Sequence, residues 1–294
     1  MTRTDSKTAF VLAGGGSLGA IQVGMLAELM SAGVHPDMIV GVSAGALNGA
    51  FLALAPNLQT VTRMGMLWEQ ITTRQVLGLS WRSLLGLLGL TDHVGNPQWL
   101  RRLLETELGY RSFNQTAIPL HLVCADLVTG DEVVLSRGDV VEAVLASTAI
   151  PGVYPAVHYE GRYLVDGAVA TSTPISVAAV NGATRIFVLP CGFACAQKKV
   201  SRGAIGRAVH AISLLGARQL RRDFELYSSS HVMRIAPPLC PLSHSSYDYS
   251  KGSELIARAR ESTKTWINGG GLVRCEFPEQ LNIHSHSEHV SGGT

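Results

Sequence analysis

No run of ~18 consecutive apolar residues, the length that crosses a bilayer, occurs in the 294 residues. The sequence therefore predicts no membrane span. Charge is scarce and nearly balanced, with 16% Asp, Glu, Lys and Arg and a formal net charge of +2. Nothing in that balance asks for a nucleic-acid partner. Cysteines are few and odd in number: Cys124, Cys191, Cys195, Cys240 and Cys275. Their spacing fits no disulfide framework, which suits a reducing compartment. A zinc site built on Cys191 and Cys195 would need two further ligands, and His231 and His244 are the nearby candidates. That spacing matches structural zinc poorly, so no metal is expected. The first apolar stretch, Ala9 to Ala13, is too short for the core of a secretory leader, so the expected location is cytoplasmic.

What is present is a rather apolar chain, 46% hydrophobic, long enough to bury a large core without staples. Its opening alternates strand and helix. Ala9 to Ala13 reads as a strand and Ala20 to Ala32 as a helix, with Ile21, Met25, Leu26 and Leu29 on one face. Asp37 to Val42 reads as a second strand, and a second helix runs from Ser43 towards Pro56. This β-turn-α-β-turn-α order predicts an α/β fold on a mainly parallel sheet. Further on, Pro119–Cys124, Asp131–Leu135, Tyr163–Val165, Arg185–Leu189 and Val232–Ile235 read as strands. Val140–Ser147, Ile175–Val180, residues 200–230 and Glu254–Asn268 read as helices. One domain over residues 8–268 is expected, followed by a poorly ordered Gly/Ser/His-rich tail over 269–294.

Three short motifs carry chemistry. Gly41-Val42-Ser43-Ala44-Gly45 sits between a strand and a helix, the setting of a nucleophile elbow. Flanking glycines remove the Cβ atoms that a sharp turn would crush, and the serine hydroxyl then stands above the sheet. The plainer alternative is a turn with Ser43 as N-cap. Gly14-Gly15-Gly16-Ser17-Leu18-Gly19 fits either a dinucleotide loop or an oxyanion hole of backbone N–H groups. A dinucleotide loop needs an acid at the end of the second strand, where this chain has Ser43; Asp37 lies at that strand's start. Asp166, closing the strand before Gly167 and Ala168, is a candidate base if it is buried beside Ser43. Its alternative is a plain Asp-Gly hairpin turn. Among the ten histidines none has convincing context for a Ser–Asp–His order, although His231 is conceivable.

Taken together and in this order, the three motifs resemble those of the patatin-like phospholipases. The stretch Ala146–Pro155 and Pro174 with Gly182-Ala183 add to the likeness, which covers about residues 8 to 190. The resemblance implies a three-layer α/β/α sandwich and a Ser43–Asp166 dyad that works without histidine or metal. It implies Gly15, Gly16 and Ser17 as oxyanion donors, and fatty-acyl esters of phospholipids or related lipids as substrates. Gly14, Gly19, Gly41, Gly45, Gly167 and Ala168 would complete the motifs. One position departs: many members carry arginine in the glycine-rich turn where this chain has Leu18. Two other functions stay open, an acyltransferase using the same acyl-enzyme and a catalytically weak lipid-binding protein.

Residues 77–90, rich in leucine with Trp81 and Arg82, suggest a cap that touches lipid at a membrane surface; the alternative is a buried core helix. Arg218, Arg221 and Arg222 fall in a helical pattern. They read as a solvated helix face, with anionic headgroups as the alternative.

Overall fold

The computed structural model describes residues 6–77, 95–192, 195 and 204–282. Strand β1 (Thr8–Leu12) leads through the glycine-rich turn into α1 (Gly19–Ser31). Strand β2 (Met38–Val42) leads through Ser43 into α2 (Ala44–Leu54). Helices α3 (Leu58–Gln70), α4 (Thr73–Leu77) and α5 (Gln98–Glu107) follow. Then come β3 (Leu120–Asp126), β4 (Glu132–Leu135), α6 (Val140–Ser147), β5 (Val157–Tyr159) and β6 (Arg162–Asp166). The chain continues with α7 (Ile175–Val180), β7 (Arg185–Leu189), α8 (Ala204–Tyr227), β8 (Val232–Ile235) and α9 (Gly252–Asn268). The expected lipid-touching cap lies outside the described residues, apart from Leu77 at the end of α4.

The sheet is mixed. Strands β3, β2, β1, β7 and β8 are neighbours in that order and parallel. Strands β4, β5 and β6 join antiparallel. Both β1 and β2 are buried along their whole length, as a parallel strand covered on both faces must be. Alternation divides their side chains. Phe10, Leu12 and Ile39 enter one core with α1, α2, α3 and α6. Ala9, Val11, Met38, Val40 and Val42 enter a second core with α7 and α8. The result is three layers, α/β/α. Helix α1 lies close on α9: a Cβ on Gly24 would come within 2.5 Å of the Ile256 carbonyl oxygen.

Strand β3 makes an unusual set of pairings. Leu120 to Val123 pair with β2 on one edge, and Leu122 to Ala125 pair with β4 on the other. Cys124 to Asp126 pair with β6. Because β4 already occupies the second edge at Cys124 and Ala125, β6 must share the first edge with β2. The two strands therefore abut head to head: β2 ends at Val42 opposite Val123, and β6 ends at Asp166 opposite Cys124.

The chain does not come loose at Gly269. The Gly271 N–H returns to the Trp266 carbonyl at 2.9 Å, and the Arg234 guanidinium bonds the Leu272 carbonyl at 2.8 Å. Phe277 packs against Phe224 of α8, and Leu281 is buried. A few apolar residues within the polar tail are enough to dock its first half. Residues 283–294 lie outside the described set.

Candidate active site

The head-to-head junction decides which side chains meet. Ser43 follows the tip of β2 and Asp166 closes β6, so two residues 123 positions apart share one point above β3. Ser43 Oγ donates to Asp166 Oδ2 at 2.6 Å. Ser43 holds φ 54° and ψ −122°, in the left-handed region that a residue with a side chain seldom adopts. Such a conformation costs about 1–3 kcal/mol and persists only where neighbours enforce it. Two neighbours do so. A Cβ on Gly45 would lie 2.0 Å from the Leu12 carbonyl oxygen, so only glycine lets α2 start this close to β1. The Ser43 N–H donates to Ser147 Oγ at 3.0 Å, and Ser147 Oγ donates to the Val123 carbonyl at 2.6 Å. Ser43 does occupy the N-cap position of α2, but its side chain makes no cap bond. The hydroxyl turns to the carboxylate instead.

Asp166 is 3% exposed and Ser43 6%. Burial raises the Asp166 pKa from 3.8 to about 6, while the Ser43 hydroxyl and the Ala168 N–H pull it down. The Ala168 N–H reaches Asp166 Oδ1 at 2.9 Å. Gly167–Val169 is a single 3-10 turn, with no hairpin following it. Gly167 itself fits because a Cβ there would lie 2.2 Å from the Val123 carbonyl oxygen.

The glycine-rich turn runs alongside. A Cβ on Gly14 would sit 3.3 Å from Ser43 Cβ. The Gly14 N–H is taken by the Ser172 carbonyl at 3.0 Å. Gly16 has φ +58° and passes under the Ser246 carbonyl, where a Cβ would come within 2.4 Å. Among the described residues, the N–H groups of Gly15 and Gly16 have no protein acceptor. Ser17 differs from the expectation. Its N–H donates to the Ser246 carbonyl at 2.8 Å and its hydroxyl to the Ser245 carbonyl at 3.1 Å, so it anchors the turn and has no N–H to spare. Leu18 is buried in the core that also holds Ala44 and Trp68.

Behind the turn lies a buried polar chain that the sequence did not announce. Gln22 Nε2 donates to the carbonyls of Ala13 and Leu189 at 2.8 and 2.9 Å, tying the ends of β1 and β7 to α1. Asn48 Nδ2 donates to Gln22 Oε1 at 2.8 Å and to the Gly19 carbonyl at 3.0 Å. Trp68 Nε1 donates to Asn48 Oδ1 at 2.8 Å.

Ser43 and Asp166 open into a cavity of about 1300 Å³, its mouth included. Leu47, Ile71, Val76, Leu100, Ile150 and Val153 give it apolar walls. The other candidates lie elsewhere. His231 precedes β8, at the edge where the parallel strands begin, with its ring against Tyr227 and Nδ1 2.8 Å from Ser230 Oγ. His121 is on β3 near that same edge, bonded to Ser136 Oγ at 2.7 Å. Asp37 accepts the Thr8 N–H at 2.7 Å at the start of β2, far from any site at the turn. Cys191 lies against Gly15 and Cys195 against Cys240, so the two diverge. Among the described residues no helix is long and apolar enough to cross a membrane.

Comparison with known proteins gives the same region a family. Residues 10–179 match the family described as patatin-like phospholipase. The chain is 28% identical over 191 residues to neuropathy target esterase sws of Drosophila melanogaster, covering 64% of this chain and 13% of that protein. It is 32% identical over 167 residues to an uncharacterized NTE family protein of Mycobacterium tuberculosis, covering 57% of this chain and 27% of that one. The chain thus spans well under a third of the curated relatives it matches. Among solved structures, VipD from Legionella pneumophila aligns with a TM-score of 0.45 at 11% identity, over 89% of this chain and 67% of that one. Human GIVD cytosolic phospholipase A2, bound to a methyl gamma-linolenyl fluorophosphonate, aligns with a TM-score of 0.45 at 11% identity, over 90% and 58% of the two chains. With its match running through more than half of its length, the chain belongs to the patatin-like phospholipase family.

Proposed function

We propose that the protein is a lipid acyl hydrolase that works through a Ser43–Asp166 dyad and an acyl-enzyme. The observation that carries this reading is the 2.6 Å bond from Ser43 Oγ to Asp166 Oδ2, made by a serine with φ 54° at a cavity with apolar walls.

In the first half-reaction Ser43 Oγ attacks the ester carbonyl carbon and its proton passes to Asp166 Oδ2. The N–H groups of Gly15 and Gly16 receive the negative oxygen of the tetrahedral intermediate. Collapse breaks the bond to the leaving alcohol, which takes the proton from Asp166. In the second half a water gives a proton to Asp166 and attacks the Ser43 ester. Collapse then frees the fatty acid and returns the proton to Ser43 Oγ. A carboxylate held near pKa 6 is a better base than one in water, because burial has removed part of the stabilisation its charge would otherwise have. The apolar walls suit an acyl chain, and membership of the phospholipase family points to a lipid ester.

The test is release of p-nitrophenol from a medium-chain acyl ester. Wild type should turn over, while Ser43→Ala and Asp166→Asn should each fall by about three orders of magnitude or more with folding intact. An inert wild type, or an active Asp166→Asn, would remove the dyad. Adding glycerol or lysolipid and identifying the products separates a hydrolase from an acyltransferase. Covalent labelling of Ser43 by a fluorophosphonate separates either from a binding protein.

A further inference from the structure

The arginine cluster on α8 divides in two. Arg221 is committed: it pairs with Glu225, bonds Asn282 Oδ1 and lies over the Phe277 ring at 4.7 Å. Arg218 and Arg222 lie one helical turn apart and are exposed. Among the described residues no carboxylate stands within ion-pair distance of either. Half-buried Asp223 feels the Arg222 charge without touching it. Two like charges at this spacing repel, which is a cost for the free helix.

These two arginines line a surface groove of about 1000 Å³, open mouth included, together with Val169, Ser172, Leu215 and Gly216. Five of the groove's residues, Ala168, Val169, Ser172, Ile212 and Gly216, also line the cavity that holds Ser43 and Asp166. The groove therefore shares a border with the cavity. Its floor is well defined, since α8 lies directly on the segment that follows Asp166. A Cβ on Gly216 would sit 2.7 Å from Ser172 Cβ, and Gln219 Oε1 accepts the Ser172 N–H at 3.4 Å. Its rim is apolar and exposed, with Val169 at 48% and Leu215 at 63%.

We infer that Arg218 and Arg222 form a subsite for the phosphodiester of a phospholipid whose acyl ester lies at Ser43. The inference rests on the hydrolase reading and narrows its substrate class. Guanidinium groups present forked donors that match phosphate oxygens. A bound phosphate also relieves the repulsion between the two arginines. The apolar rim accepts the glycerol end of the lipid, and the acyl chain continues into the cavity.

The experiment uses two short lipids kept below their micelle concentrations, dihexanoyl phosphatidylcholine and dihexanoylglycerol. Monomeric lipid removes any attraction to a charged bilayer. The readout is the ratio of kcat/KM for the first over the second, in wild type, in Arg218→Gln/Arg222→Gln and in the control Arg162→Gln. The double variant should lower the ratio about tenfold or more by raising KM for the phospholipid. The control, an exposed arginine on the β5–β6 hairpin, should not. An unchanged ratio overturns the subsite, and so does an equal loss on both lipids. Calorimetric binding of phosphatidylcholine to Ser43→Ala, with and without the two arginine changes, gives a second reading that needs no turnover. If wild type hydrolyses neither lipid, the dyad reading fails. The subsite then stands or falls on whether the arginine changes weaken that binding about tenfold.

Discussion

Ser147 Oγ accepts the Ser43 N–H at 3.0 Å, and its own proton goes to the Val123 carbonyl at 2.6 Å. One hydroxyl thus bridges the gap where β2 and β6 both stop. Ser147→Ala leaves both backbone groups without that partner in a site that is almost fully buried. Unfolding by urea should show a loss of about 2 kcal/mol. Ester turnover should fall about tenfold or more in kcat, because the left-handed backbone of Ser43 loses one of its restraints. A variant as stable and as active as wild type would show that Gly45 packing alone holds the turn.

Activity should depend on pH through a single acidic limb. Asp166 can take the Ser43 proton only when ionised, and its pKa stands at about 6 because burial disfavours the charge. The kcat/KM should be half its plateau near pH 6, about a tenth of it near pH 5, and flat above about pH 7. A profile of kcat/KM from pH 4 to 9 checks this. A limb near pH 4 would mean that water reaches the carboxylate.

The same burial makes Asp166 a liability for stability. Below about pH 4 the carboxyl is protonated in folded and unfolded chains alike and contributes nothing. Between about 4 and 6 the unfolded chain ionises while the folded one holds its proton, so stability falls as pH rises. Above about 6 the loss is complete, at most about 3 kcal/mol. Asp166→Asn has no such loss. Its denaturation midpoint should match wild type near pH 4 and exceed it at pH 8, in a protein that has lost its activity. A midpoint below wild type at pH 8 would falsify the burial explanation.

Two glycines should respond in opposite ways to alanine. In Gly45→Ala the new methyl meets the Leu12 backbone 2.0 Å away, and backbone cannot step aside. That variant should fail to accumulate as folded protein. Gly65, inside α3, has its nearest neighbour at 3.9 Å. Gly65→Ala should gain about 0.5–1 kcal/mol from helix propensity. Soluble yield and thermal melting distinguish the two.

Asn48→Leu should be among the most damaging surface-remote changes. It strands Trp68 Nε1 and Gln22 Oε1 in the core, each having lost the one side-chain partner it has among the described residues. A loss of about 2–4 kcal/mol is expected by urea titration. Because Gln22 holds the carbonyls at the ends of β1 and β7, fluorophosphonate labelling of the folded variant should also slow.

Much of the fold is legible in the sequence. Val140–Ser147, Ile175–Val180, Arg185–Leu189 and Val232–Ile235 have the bounds their patterns predict, since each is a short apolar run with clear punctuation. The pair Ser43 and Asp166 was legible through the three motifs read together as a family resemblance, since Asp166-Gly167 alone reads equally well as a hairpin turn. Ser147 was not: a serine closing an apolar helix looks like any other, and its role exists only through contacts 104 and 24 residues away. The commitment of the Ser17 N–H was hidden for the same reason, because its acceptor Ser246 arrives more than two hundred residues later. The antiparallel entry of β6 was also beyond reach, since periodicity carries no strand direction. In the tail, a polar average masked Leu272, Phe277 and Leu281.

The head-to-head junction has a consequence in time. Synthesis runs at about 5–20 residues per second, and Ser43 precedes Asp166 by 123 residues. Ser43 therefore leaves the ribosome many seconds before Asp166. No early fragment brings the two side chains together, because β6 can dock on β3 only beyond the point where β2 stops. Reactivity of Ser43 towards a fluorophosphonate thus dates the docking of β6 on β3, with β7 and β8 still to follow. Followed on nascent chains of increasing length, it would serve as a clock for the closing of that junction.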